Sequence, residues 1–273
     1  MKILLTNNHL ARLGGTETWI ITMARELAKR GHQVGVYTKA KGVVSDLLKE
    51  FIDDNPKDYD LALINHNTCI NVDAKFKIFT SHGTVPEMEK PIYGADIYVA
   101  VNENVASKYN LEHIIKNPID TELFKPTNEI SDTPKIVLSI TDVPIQLSYE
   151  VIRCSRTEYN MPKLINNADV VISLGRGVLE AMSCARNVVV WDNRGYWGSR
   201  GDGYINDFTK LTGNVAGNYL NYNINLEEEI KKYSKEQGQK NRQYILEHHD
   251  VKKIVDKYLN LYDTSRKVLS PSS

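Results

Sequence analysis

Three absences narrow the field before any motif is considered. Net charge is absent: Lys plus Arg and Asp plus Glu number 34 each, so the formal charge at pH 7 is zero. Without a basic excess no global field holds a polyanion, and a nucleic-acid partner is not expected. Cysteine is scarce, and Cys69, Cys154 and Cys184 are odd in number and far apart, which suits neither a disulfide framework nor a zinc site and fits a reducing cytoplasm. His66 and Cys69 form a His-x-x-Cys run with no second pair, so no metal is expected. Long apolar runs are missing too: Ile3, Leu4 and Leu5 give way to Thr6 and Asn7, too short for a signal peptide or a membrane span. A soluble, cytoplasmic protein is expected, with peripheral membrane contact left open and the oligomeric state unspecified. Heptads, low-complexity blocks and internal repeats are not found.

What is present is a chain of 273 residues, long enough for two modest α/β domains. Residues 2–6 read as a buried strand, followed by a glycine-bearing loop and a helix over 16–30. In that helix Trp19, Ile20, Met23, Ala24 and Leu27 recur at helical spacing. Gly31 supplies a C-cap and 33–38 the next strand, which makes a βαβ unit and a parallel sheet. Further strands are expected at 61–64, 77–81 and 97–101, each ending in polar residues where a parallel sheet carries its site. The proline-bearing stretch 117–134 reads as an interdomain linker, which puts the boundary near 118. Beyond it, strands are expected at 136–140, 169–173 and 187–191, with a helix over 177–185 opening at a glycine turn. Residues 226–262 are helical in pattern, with a break near Gly238 and a solvated face at His248 and His249. Two Rossmann-like lobes result, 1–118 and 119–273, with the C-terminal helices free to cross back to the first.

Three constellations carry chemistry. Leu13-Gly14-Gly15-Thr16-Glu17 opens the first long helix, where two glycines and bare backbone amides suit an anion such as a phosphate. A tight turn with Thr16 as N-cap is the alternative. Ser81-His82-Gly83 falls at a strand end, where His82 is able to donate to a sugar hydroxyl. In the run from Ala168 to Cys184, a strand is followed by Gly175, Arg176 and Gly177 and a helix with Glu180 in its first turn. Amides and Arg176 suit a diphosphate and Glu180 the ribose hydroxyls, although Glu180 could simply complement the helix dipole. No Gly-x-Gly-x-x-Gly is found, which ranks an NAD-dependent oxidoreductase last. Tyr196, Trp197 and Tyr204, among Arg194 and Arg200, form either a sugar-stacking loop or an ordinary surface loop.

The Leu179-Glu180-Ala181-Met182 run and the apolar strand after it resemble the donor-binding signature of GT-B glycosyltransferases of the glycogen-synthase-like, glycosyltransferase family 4 type. Gly14-Gly15-Thr16-Glu17, Ser81-His82-Gly83 and Asn117-Pro118-Ile119-Asp120 fall in the order that this family uses. The stretches from Gly203 to Gly217 and from Gln239 to Asp250 are similar to family tails, so the resemblance covers most of the chain. It implies two Rossmann-like lobes facing across a cleft, the first on the acceptor side and the second, here truncated, on the donor side. By the same resemblance Glu180 holds the ribose, the amides of Gly15 and of Gly177, Val178 and Leu179 meet the diphosphate, and His82 lies near the donor sugar. The region 159–163, with Met161, borders the base. No cofactor or metal is implied; the donor is a nucleotide diphosphate sugar, and the acceptor is an unspecified glycan, lipid or small molecule.

The sequence also departs from that pattern. A Glu is expected eight residues before Glu180, where Ile172 stands beside a shortened loop carrying Arg176. The usual Arg and Lys have no match in Ser139-Ile140-Thr141-Asp142-Val143-Pro144, which leaves Arg153, Arg156 or Arg176 to supply positive charge. These departures keep a second expectation alive, a nucleotide-sugar-binding module that has lost turnover.

Overall fold

The structure, a computed structural model, describes residues 1–141, 144–154, 160–192, 200–211 and 223–269. The chain divides into two compact units, Met1–Pro118 together with the chain from Val251 onward, and Ile119–Asp250.

In the first unit β1 (Lys2–His9), β2 (Gln33–Ala40), β3 (Leu61–Ile64), β4 (Lys77–Ser81), β5 (Ile97–Ala100) and β6 (His113–Ile114) are all parallel. Their order is β2-β1-β3-β4-β5-β6. Crossovers run through α1 (Gly15–Lys29), α2 (Val43–Asp46) and α3 (Glu103–Tyr109). Ile3 and Leu5 join one apolar cluster and Leu4 the other, so β1 is buried on both faces, as a covered parallel sheet requires. The α1 stripe Trp19, Ile20, Met23, Ala24 and Leu27 is fully buried against that sheet.

In the second unit β7 (Ile136–Ser139), β8 (Glu150–Arg153), β9 (Val170–Ser173) and β10 (Asn187–Asp192) are parallel, and β11 (Arg200–Tyr204) pairs antiparallel with β10. The order is β11-β10-β9-β7-β8. Helices α4 (Met161–Asn166), α5 (Arg176–Ser183), α6 (Leu226–Ile230) and α7 (Lys235–His248) follow. Alternation along β9 sends Val171 to the α5 side and Val170 and Ile172 to the opposite cluster with Trp191.

The last helix, α8 (Val251–Leu269), belongs to the first unit. Tyr258 stacks edge-on to Trp19 at 5.9 Å and its hydroxyl bonds Thr80 Oγ1 at 2.9 Å, while Arg30 pairs with Asp256 at 2.5 Å. Within the second unit Ile119 bridges to Asp250, so the residues where the chain enters and leaves that unit are neighbours.

Three expectations are corrected. The 117–134 stretch is not a free linker beyond Pro118: Ile119 and Phe124 are buried, and Asn166 Oδ1 accepts from the Thr127 amide at 2.8 Å. The helical tail does not break at Gly238. It breaks at 231–234 and again at His249, which caps α7 and is buried beside the Tyr244 ring instead of lying on a solvated face. Gly238 stands inside α7 because the helix lies tight against the end of α5, where a Cβ would meet Ala185 O at 2.4 Å. Finally, Tyr204 is no loop residue; it is buried in β11 and its hydroxyl donates to Asn187 Oδ1.

Gly238→Ala is therefore expected to reverse the usual helix rule. Alanine favours an exposed helix by roughly 1 kcal/mol over glycine, but overpacking costs about 1–3 kcal/mol. A lower thermal midpoint in the variant, read by calorimetry, is the expected result.

Candidate functional site

Both sheets change winding direction at their first strand. β2 lies on one side of β1 and β3 on the other; β8 lies on one side of β7 and β9 on the other. Crossovers then leave in opposite directions, and the space above the carboxyl ends of β1 and β3, and of β7 and β9, stays uncovered. The candidate residues gather at these two places, each within its own unit.

At the first, Thr6 pairs with Ile64, which brings Asn7 and Asn65 to adjoining strand ends. The Asn7 amide donates to Glu17 Oε1 at 3.0 Å and to the His9 carbonyl at 2.8 Å, and reaches Thr16 Oγ1 at 3.4 Å. His9 Nδ1 stands 3.2 Å from the same Glu17 oxygen, within ion-pair distance. Glu17 is consequently buried with its charge turned inward, and its other oxygen lies over Gly14, where a Cβ would sit 2.4 Å away. Gly15 faces open space, and no side chain caps α1, whose N-cap is Gly14 and not Thr16. His82, just past β4, is buried; its Nε2 donates to Asn65 Oδ1 at 2.9 Å and its ring meets Trp19 edge-on at 5.7 Å. His66 accepts from the Asn8 amide through Nδ1 at 2.9 Å, and burial, aided by His9, pushes its pKa down to about 4. It is a neutral structural imidazole.

At the second place, only Leu174 and Gly175 separate β9 from α5. Gly175 takes φ 56°, open to glycine, and no side chain caps the helix. Gly177 lets the first turn settle onto the strand ends, since a Cβ there would meet Ser173 Oγ at 2.4 Å. Val178 and Leu179 point into the core, and the Val178 amide donates to the Gly175 carbonyl at 3.2 Å. Glu180 lies one turn further in than expected, and no acidic residue occupies the first turn. Arg176 Nε donates to Glu180 Oε1 at 2.9 Å, with both side chains largely buried. Burial pulls the Arg176 pKa down and pushes that of Glu180 up, and each charge opposes the other's shift. Asp120, from the Asn-Pro-Ile-Asp run, also favours the charged guanidinium.

Other sequence candidates lie elsewhere. Arg153 is exposed at the end of the edge strand β8. Met161 starts α4 and packs on the apolar cluster, accepting from the Cys154 thiol at 3.4 Å. Arg156, Arg194, Tyr196 and Trp197 fall outside the described residues. An open cavity of about 320 Å³, lined by Ile145, Leu147, Trp191, Ile224 and Leu226 among others, sits on the sheet face away from α5. Among the described residues no group of three or more His, Cys, Asp or Glu side chains could hold a metal ion, and no helix is long and apolar enough to cross a membrane. Sequence reasoning missed Asn7, which lies inside β1, and Asn65, although Asn65 directly follows an apolar strand, the position that signalled His82.

No protein-family model matches the sequence, and neither does any curated protein. Solved structures do match over nearly the whole chain. A glycosyltransferase from Rickettsia africae is similar with a TM-score of 0.63 at 13% identity, covering 99% of each chain. AviGT4, a glycosyltransferase involved in avilamycin A biosynthesis, matches at 0.56 and 12%, covering 100% of this chain and 99% of its own. An α-glucosyltransferase solved with UDP and a DNA 13-mer matches at 0.58 and 11%, covering 96% and 99%. At such identities the likeness establishes the fold: the chain carries the two Rossmann-like sheets of the GT-B glycosyltransferase architecture, in a chain of only 273 residues.

Proposed function

We propose that the chain transfers a sugar from a nucleotide diphosphate sugar to a hydroxyl acceptor, with the donor nucleotide on the second unit. The observation that carries this reading is the uncapped start of α5 at the β7–β9 switch point, with Gly177 drawn onto the strand ends and Arg176 and Glu180 beside it. A helix start at a switch point is an anion site by its dipole and its unpaired amides. Near-full-length likeness to several glycosyltransferases, one solved with UDP, supports the same reading.

In it, the amides of Gly177 and Leu179 at the start of α5 meet the diphosphate. Glu180 accepts from the ribose hydroxyls, and Arg176 offsets the charge that develops on the departing diphosphate. Rate then comes from holding donor and acceptor together and from stabilising the leaving group, without a metal. The family resemblance implies that the product keeps the donor's anomeric configuration.

A module that binds nucleotide sugars without turnover is the second reading, favoured by Ile172 and by the lack of a cation at Ser139, Ile140 and Thr141. Nucleotide release from the matching sugar donor separates the two: release with acceptor present sinks the second reading, and binding without any release sinks the first.

A thermal-shift screen against nucleotide diphosphates is expected to return one base, with stabilisation of about 2.7 kcal/mol at a hundredfold excess over Kd. Glu180→Gln should weaken that nucleotide roughly 10–100-fold, since hydrogen bonds to a charged group contribute about 1.5–3 kcal/mol. Breaking a buried pair also destabilises by roughly 3–5 kcal/mol, so affinity is to be measured on folded variant, with Arg176→Gln/Glu180→Gln as the charge-neutral control. Unchanged affinity in both variants would remove Glu180 from the site.

A further inference from the structure

The loop between β4 and β5 carries a carboxylate that the donor site does not use. Residues Glu87–Glu89 form a single tight turn held from two sides: Ser81 Oγ donates to the Glu89 carbonyl at 2.8 Å, and Asn67 Nδ2 donates to the carbonyls of Glu87 and Lys90 at 2.7 and 3.1 Å. This fixes the Glu89 backbone beside the end of β4. Glu17 of α1 is close enough to act on the Glu89 carboxyl electrostatically, and among the described residues no lysine or arginine forms an ion pair with Glu89.

Several buried polar atoms at this crown lack hydrogen-bond partners, Asn7 Oδ1 and Asn65 Nδ2 among them. Both asparagines are wholly buried, and the other ends of the two amides are engaged by Glu17 and His82. Buried polar atoms are nearly always satisfied, so an acceptor and a donor left over on adjoining strand ends call for a group that supplies both. A hydroxyl does, since it donates once and accepts up to twice. A phosphate supplies only acceptors, and it would meet two carboxyl groups.

We propose that Glu89 and Glu17, with Asn7 and Asn65, form the acceptor subsite of the first unit, and that it takes a neutral, hydroxyl-rich sugar in preference to a phosphorylated one. The inference rests on the glycosyl-transfer reading and supplies the acceptor class that reading lacks. Burial, reinforced by the Glu17 charge, pushes the Glu89 pKa up to about 7. Glu87 and Lys90 stand on its own turn, and Tyr109 of α3 has its pKa raised by burial and by Glu87 and Glu89. A carboxylate accepts two sugar hydroxyls better than its protonated form, so acceptor binding strengthens as pH rises through 7.

The test uses the full chain with its screened donor and, as acceptors, methyl glycosides of glucose, galactose and mannose beside their 6-phosphates. Expected are nucleotide release stimulated by at least one methyl glycoside, a KM at least tenfold higher for its phosphate, and a glycoside KM that falls between pH 6 and 8. Glu89→Gln should raise the glycoside KM at least tenfold and abolish its pH dependence, leaving the donor KM and thermal midpoint in place; Glu89→Asp should recover part of the affinity. Preference for the phosphates, or a variant with the wild-type KM and pH profile, overturns the proposal. Should wild type release nucleotide from no donor, the transfer reading falls, and saturation-transfer NMR of the same glycosides on wild type and Glu89→Gln still decides the subsite: signals lost in the variant uphold it, and signals absent from wild type or retained in the variant overturn it.

Discussion

A parallel sheet wound outward in both directions from its first strand cannot cover the gap at which the winding reverses. Each unit of this chain contains one such gap, and each has a helix start leading into it, α1 in the first unit and α5 in the second. Everything else about the candidate site follows from that geometry. Backbone amides at an uncapped helix start and side chains just past a strand end face that space, and these are where Gly15, Asn65, His82 and Gly177 stand.

Charges at these places are held in a way that stability alone does not explain. The Arg176–Glu180 pair spans one turn of a short helix and is largely removed from water. Desolvation offsets most of the attraction in such a pair, and apolar residues of the same volume commonly hold a helix as well or better. Glu17 is similar: its carboxylate is turned inward onto Asn7 and His9, and Gly14 must lack a side chain to admit it. Two buried carboxylates that each require a tailored surrounding at a sheet's open edge suit the recognition roles proposed for them above. Elsewhere the chain uses polar side chains as braces in the ordinary way. Arg242 donates to the carbonyls of Thr121, Phe124 and Ser183, tying α7 to α5 and to the entering strap.

Strands β3 and β4 were legible to the residue, β3 as an apolar run that ends abruptly in Asn65 and β4 as Ile78 and Phe79 between polar flanks that lead to His82. Less of the edges was. β6 has two residues, β8 is half exposed, and β11 carries two glycines in five positions, so none produces an apolar run. Helix α8 announced itself by period, yet periodicity says that a helix has an apolar face without saying which sheet that face covers; Tyr258 against Trp19 decides it. Of the candidate site, the glycine turns and His82 were visible as local patterns. Asn7 and Asn65 become a pair only through the β1–β3 register, and Glu89 joins them only through the Ser81 and Asn67 bonds that fold its turn back.

Ile172 weighs differently once the strand is known. Counting eight residues back from Glu180 lands inside β9, on a side chain wholly buried between Val189 and Ser139 of the neighbouring strands. A glutamate there would be a carboxylate in the sheet core with no route to a ligand. A carboxylate can occupy the strand end only if the segment between strand and helix is long enough to lift it out, and here that segment is two residues. The missing Glu is thus part of a shortened loop and not a lesion in an otherwise complete site. The same shortening brings Arg176 to the first position of α5, where its guanidinium reaches Glu180 within one helix turn. Shortening of this kind exchanges one arrangement of charges for another at the same helix start, and it weakens the inference from Ile172 to lost turnover.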